Sequence, residues 1–151
     1  MTPHPLLTPL QSDPTQHGQH GGWTLEAEQA QADTVGIRTD SLHLTRKEPS
    51  ARDASSLARD LAGRASYLLE PLILVEGSEQ KALLRSQITD SPDEEQPYYE
   101  MWVTPDELSL RRYEGQRGQS RRPRPVSLTW EQAERLVKDV EATYAAEPPE
   151  A

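Results

Sequence analysis

Apolar side chains follow strand spacing in the first folded stretch of the chain. Residues 23–27 alternate apolar and polar side chains, which is typical of a half-buried strand. The segment 34–46 is also strand-like, but its apolar positions change from odd numbers at Ile37 to even numbers at Leu42. A side-chain period of two cannot absorb that change, so we predict a turn or bulge at Asp40-Ser41.

Two later segments have the spacing of amphipathic helices. We predict that Pro49 and Ser50 open the first, with Ser50 and Asp53 in an N-cap pattern, and that Pro71 ends it. Its apolar stripe comprises Ala54, Leu57, Ala58, Leu61, Ala65 and Leu68. The second helix begins with a capping box of Thr129 and Gln132. Its stripe comprises Trp130, Ala133, Val137, Val140 and Tyr144.

The residues between these helices read as antiparallel strands. The runs 72–76 and 81–86 flank a glycine-containing turn, and 98–104 and 108–113 flank a turn that opens with proline. A short strand follows at 126–128. Because short turns join consecutive antiparallel strands, we expect an α+β fold. It would have an antiparallel sheet of about five to seven strands with two helices on one face.

The chain ends differ from this region in composition. Residues 1–22 contain four prolines, three glycines and three histidines. Such a stretch buries too little apolar surface to offset its conformational entropy, so we predict a disordered tail there. A second disordered tail is predicted at 147–151. The expected organisation is therefore one α+β domain over 23–146.

Overall composition narrows the possible chemistry. The chain has 151 residues, a net charge of −9 and no cysteine, which excludes disulfides, thiolate metal sites and a cysteine nucleophile. Its longest apolar run, 72–75, is far too short for a membrane span. The first basic residue is Arg38, so no basic leader is evident. We expect a cytoplasmic protein without membrane contact. The excess of arginine over lysine indicates a GC-rich bacterial source.

No residue constellation in the sequence indicates catalysis, a metal or a cofactor. His17 and His20 share the N-terminal tail, but two ligands do not make a metal site. His43 lies opposite the apolar face of its strand. The acidic residues occupy loops, turns and helix starts, and neither a nucleophile elbow nor a phosphate-binding loop is present. An enzyme remains conceivable only with a site assembled from dispersed residues.

Arginines are concentrated in one segment of this acidic chain. Six of them fall within 14 residues, together with a single glutamate: Arg111, Arg112, Arg117, Arg121, Arg122 and Arg124. The segment carries +5, so the rest of the chain carries −14. Three interpretations stay open: a solvated loop facing the acidic loop at 89–97, a site for a protein partner, or a site for nucleic-acid phosphates.

A second candidate surface is aromatic. If Tyr99, Met101 and Val103 face the helices, then Tyr98 and Trp102 point to the opposite side of the sheet. An uncovered face with tyrosine and tryptophan is a common docking surface. The alternative is that Trp102 is part of the core. We therefore predict a small acidic, non-enzymatic binding or adaptor protein that engages a protein partner, alone or as a homodimer. The alternative function is binding of nucleic acid or another polyanion through 111–124.

Overall fold

The computed structural model describes residues 4–65, 71–86, 96–115 and 121–146. Over these residues it has three helices: α1 (Thr8–Ser12), α2 (Ala54–Arg64) and α3 (Trp130–Ala145). The strands are β1 (Gly18–His20), β2 (Trp23–Glu28), β3 (Gln31–Ala32), β4 (Gly36–Thr39), β5 (Ser41–Arg46), β6 (Leu72–Gly77), β7 (Ala82–Ser86), β8 (Gln96–Val103), β9 (Glu107–Gly115), β10 (Arg122–Arg124) and β11 (Val126–Thr129). The second predicted tail, 147–151, lies outside the described residues. No helix in the described ranges is long and apolar enough to cross a membrane.

The strands form two sheets, and every pairing is antiparallel. The larger sheet has eight strands in the order β1-β2-β5-β9-β8-β7-β6, with β10 added beside β9. A second sheet has the order β11-β4-β3. The α+β class and the antiparallel pairing are therefore confirmed. The prediction was one sheet of five to seven strands with two helices. The structure instead has a sheet of eight strands, a second sheet of three strands and a third helix.

The change of phase at Asp40 is the reason for the second sheet. β4 ends at Thr39 and pairs with β11, whereas β5 begins at Ser41 and pairs with β2 and β9. One residue between them turns the chain from one sheet into the other. The predicted break at this position is confirmed, and it divides two sheets rather than kinking one strand.

The three helices and the small sheet cover one side of the larger sheet, which we call the inner face. Buried apolar side chains there form one cluster that extends from Leu6 to Tyr144. Tyr144, in the last turn of α3, packs edge-on against Trp23 with ring centroids 5.0 Å apart. Its hydroxyl donates to the carbonyls of Thr104 and Glu107, and burial raises its pKa, so it stays a donor.

The prediction of a disordered tail over residues 1–22 was wrong from His4 onward. Leu6, Leu7 and Leu10 are at most 3% exposed and belong to the core, and β1 adds an edge strand to the larger sheet. Three leucines within five residues bury enough apolar area to hold this segment on the core, although its overall composition is rich in proline. The folded unit therefore begins before the predicted boundary at residue 23.

Helix starts and ends follow the capping residues. The predicted capping box of Thr129 and Gln132 is confirmed at the start of α3. For α2, the N-cap is Asp53, which accepts from the Ser56 amide at 2.8 Å, and not Ser50. Ser50 instead donates its hydroxyl to a carbonyl in the last turn of α3. α2 ends at Arg64, before the predicted end at Pro71; the predicted stripe residue Leu68 lies outside the described residues.

Candidate binding surface

The strands β7, β8 and β9 present a mixed aromatic and basic surface on the side away from the helices, which we call the outer face. Strand alternation places Tyr99, Met101 and Val103 in the core cluster, as the conditional prediction required. Tyr98 and Trp102 therefore point to the outer face. Trp102 is half-buried and lies outside the core cluster.

Each aromatic ring on the outer face has a cation over it. The Lys81 ammonium lies 4.3 Å from the Trp102 ring centroid, and the Arg121 guanidinium lies 4.0 Å from that of Tyr113. The Arg85 guanidinium lies 5.4 Å from the Tyr98 ring. These separations are within the range of cation–π attraction. The outer face is thus a layer of rings covered by positive side chains.

A buried carboxylate holds part of this basic layer in place. Glu100 is only 2% exposed although it lies on the outer face, because Arg85 and Arg121 cover it and form ion pairs with it. Arg111 is its direct neighbour across the β8–β9 pair. Burial opposes the charge on Arg121, but its contacts with Tyr98 and Glu100 raise its pKa further. Glu100 therefore acts as an anchor for arginines and has no opening to a substrate.

A shallow concavity of about 470 Å³ lies next to these rings on the outer face. Its walls include Trp102, Tyr113, Arg111, Ser109 and His43. A volume of this size is within the range of small-ligand sites, although the concavity is open to solvent along the sheet. Arg111 is exposed at its rim and has no ion pair within the described residues. The concavity therefore places an exposed arginine beside an aromatic wall, with Glu107 also in its lining.

His43 has hydroxyl and carboxylate neighbours, but the arrangement is not that of a catalytic triad. Ser41 Oγ lies 3.0 Å from His43 Nε2, and Glu28 lies 3.2 Å from the same nitrogen. A triad needs the carboxylate on Nδ1, so that Nε2 is free to take the serine proton. Ser41 is also fully buried. These contacts order the polar side of the strand and do not activate a nucleophile.

The arginine segment predicted as one cluster is divided between the two faces of β9. Arg111 and Arg121 lie on the outer face near Tyr98, whereas Arg112 points the other way and lies 4.4 Å from the Tyr99 ring. Arg122 and Arg124 belong to β10 and share the side of Arg112; Arg124 lies 3.4 Å from Glu114. Arg117 lies outside the described residues. Two of the six predicted arginines therefore join the predicted aromatic residues.

Three outer-face residues were missing from the predicted site: Lys81, Arg85 and Tyr113. The sequence held a signal for the first two, because the predicted hairpin over 72–86 gives residues 81, 83 and 85 one shared face. The pairing of β7 with β8 then sets Leu83 beside Trp102. That register could not be derived from composition or spacing, since the connection between the two strands is long.

A histidine cluster near the N-terminus resembles a metal site but is not built as one. Ligand atoms of His4, His20 and Glu141 all lie within 4.8 Å of one another. His4 Nδ1 accepts the Leu6 amide proton at 3.1 Å, so the proton of the neutral ring is on Nε2, which faces Glu141. A metal-bound histidine has the opposite arrangement, with its second nitrogen as a donor. The cluster ties the N-terminal segment to α3.

Comparison with known proteins gives no family model, no curated protein and no solved structure that matches the chain.

Proposed function

We propose that this chain is a non-enzymatic binding or adaptor protein that docks an acidic surface of a partner protein on its outer face. One observation carries the proposal. Four cationic side chains and three aromatic rings share a sheet face that no described helix covers: Lys81, Arg85, Arg111, Arg121, Tyr98, Trp102 and Tyr113. Tyrosine, tryptophan and arginine are the residues that contribute most at protein interfaces.

The contact energies favour a cation leaving its aromatic ring to bind a carboxylate of the partner. A cation–π contact at an exposed site contributes about 0.5–1 kcal/mol. A hydrogen bond between charged groups contributes about 1.5–3 kcal/mol. A partner carboxylate can therefore draw Lys81 away from Trp102, which frees the indole ring for apolar contact. Basic and aromatic groups would then contribute together to the interface.

Charge distribution supports an acidic partner despite the net charge of −9. Coulomb attraction between exposed charges acts over about 8–10 Å at physiological salt. Four cations (Lys81, Arg85, Arg111 and Arg121) share the outer face with the carboxylates of Glu100 and Glu107, and Glu100 is already covered by two of the arginines. Local attraction therefore exceeds the long-range repulsion once the partner approaches the outer face.

Single-stranded nucleic acid is the second candidate, because stacked rings beside cations also suit bases and phosphates. Tyr98 is only 7% exposed, so Trp102 and Tyr113 are the rings that could stack on bases, fewer than a stacking platform uses. Nucleic acid would meet the negative body along its length, whereas a partner protein contacts one face only. A short acidic peptide and an oligothymidylate therefore distinguish the two candidates.

The test uses charge reversal with a matched control. The double variant Lys81→Glu, Arg111→Glu alters the outer face, and Arg135→Glu, Lys138→Glu makes the same charge change on the exposed side of α3. We expect an acidic peptide that contains one aromatic residue to shift amide NMR signals of β7–β9 in the wild type and in the α3 variant. The outer-face variant should lose this binding by at least about tenfold.

Partner capture then tests the biological claim. Wild-type protein and the α3 variant should retain the same protein from an extract of the source cells, and the outer-face variant should not. Equal capture by all three proteins would refute the proposed surface. Binding of oligothymidylate that exceeds peptide binding and weakens steeply with salt would favour the second candidate instead.

A further inference from the structure

The edge strand β6 exposes apolar side chains that its sequence would lead one to expect in the core. Leu72 to Val75 is the longest apolar run in the chain, and such a run is typical of a strand buried on both faces. Leu72 faces the core, but Ile73 is 50% exposed and Val75 is 46% exposed. Together with Val35 they are the large apolar side chains most exposed within the described residues.

The other sheet edges in the described residues are protected. β1 has three residues and runs into Gly21 and Gly22, both with positive φ. β10 is Arg-Pro-Arg, and both proline and charge prevent another strand from pairing there. The small sheet has β3 and β11 at its edges, with two and four residues, and β11 runs directly into α3. By contrast, β6 is six residues long and has no charged side chain before Glu76; its pairing with β7 is regular over Leu72–Leu74, and its one register shift lies between Leu74 and Glu76.

We propose that β6 pairs with β6 of a second copy of this chain, so that the two larger sheets join into one. An antiparallel pair about a two-fold axis near Leu74 is self-complementary in its main-chain hydrogen bonds. It sets Ile73 and Val75 of one copy beside the same residues of the other. The strand is neutral up to Glu76, so the contact avoids the like-charge repulsion that an acidic chain meets elsewhere.

The second copy is favoured over a different partner by the geometry of the edge. Strand addition needs a partner with a free, neutral, apolar strand, and β6 is itself such a strand. On the next strand, Ile73 lies opposite Arg85, and Leu83 lies between Glu76 and Trp102, so the apolar part of this edge is β6 itself. Five paired residues per copy bury less area than a standard interface, so we expect association that depends on concentration in the micromolar range.

Sedimentation equilibrium of the full chain from about 1 to about 100 µM tests the proposal. The wild type should change from monomer to dimer across this range. Ile73→Lys and Val75→Lys should each remain monomeric, because each places a charge at the joint. Val35→Lys, a change at a valine that is 68% exposed elsewhere, should dimerise like the wild type. Circular dichroism checks that each variant keeps the fold.

A wild type that stays monomeric throughout would overturn the proposal, as would β6 variants that still dimerise. Slower amide exchange in β6 at high concentration provides a second readout, since paired amides exchange slowly. The outcome is independent of the outer-face proposal. The Ile73→Lys monomer should still bind the acidic peptide, and the Lys81→Glu, Arg111→Glu variant should still dimerise.

Discussion

Replacing Glu100 by glutamine removes a buried charge from the centre of the outer face while keeping the shape of the side chain. In the wild type the carboxylate forms ion pairs with Arg85 and Arg121. The amide can accept a hydrogen bond from one of them but cannot neutralise either. We therefore expect Glu100→Gln to lower the free energy of unfolding and, at the same time, to make the outer face more positive.

The magnitude follows from how far the arginines can regain water. Removing one partner of a fully buried ion pair costs about 3–5 kcal/mol. Here Glu100 is buried, but the side chains of Arg85 and Arg121 are 34% and 45% exposed, so both can turn toward solvent. We expect a loss of about 1–2 kcal/mol, close to that of a charge-assisted hydrogen bond. For a chain of this size it lowers Tm by about 2–8 °C.

Urea unfolding followed by tryptophan fluorescence measures the loss. Glu107→Gln is the matched control, because Glu107 is exposed and its carboxylate forms no ion pair within the described residues. That variant should stay within about 0.5 kcal/mol of the wild type. Equal stability of Glu100→Gln and Glu107→Gln would refute the anchoring role. A further check is that Glu100→Gln binds the acidic peptide more tightly than the wild type.

Three other changes test the remaining architecture by urea unfolding. Leu10→Ala should cost about 2–5 kcal/mol, because Leu10 is fully buried; a disordered N-terminal tail would give no change. Arg52→Met should cost about 2–4 kcal/mol, because the guanidinium joins Asp60 of α2 to the Thr143 carbonyl of α3. Burial raises the pKa of Asp60, but hydrogen bonds from Arg52 and Arg64 outweigh it and the net pKa is lowered. The stabilisation from Asp60 is therefore present above about pH 5 and disappears as pH falls through the lowered value. Wild type and Asp60→Asn should then differ by about 1–2 kcal/mol at pH 7, and the difference should shrink steadily as the pH falls below about 4; a constant difference would contradict the ion pair.

Local structure could be predicted from the sequence wherever residues close together in the chain determine it. The hairpin of β6 and β7, the capping box of α3 and the break at Asp40 each depend on neighbouring residues. The second sheet could not be predicted, because β4 and β11 are almost ninety residues apart and pair through backbone groups that every residue has. The N-terminal segment was misread for a related reason. Its proline content indicates disorder, while burial of its leucines depends on a distant groove beside α3.

The candidate surface shows the same division between local and distant information. Alternation along β8 correctly separated Tyr98 and Trp102 from the core residues between them. The same rule applied to β9 separates Arg111 from Arg112, so the charge of the arginine segment could not all act at one site. The pairing of cations with rings depends on the register between β7 and β8. The sequence pattern of neither strand determines that register.

The two proposals combine into a property that neither has alone. Antiparallel pairing of β6 with its copy requires a two-fold axis perpendicular to the sheet, so both outer faces would lie on the same side of the joined sheet. A partner with two acidic segments could then engage both faces, and the second contact would be intramolecular. Such binding can exceed the affinity of one face by about 10²–10⁴. We therefore expect Ile73→Lys to keep the affinity for a single peptide and to lose the gain seen with a tandem peptide. An equal gain for monomer and dimer would show that the faces act separately.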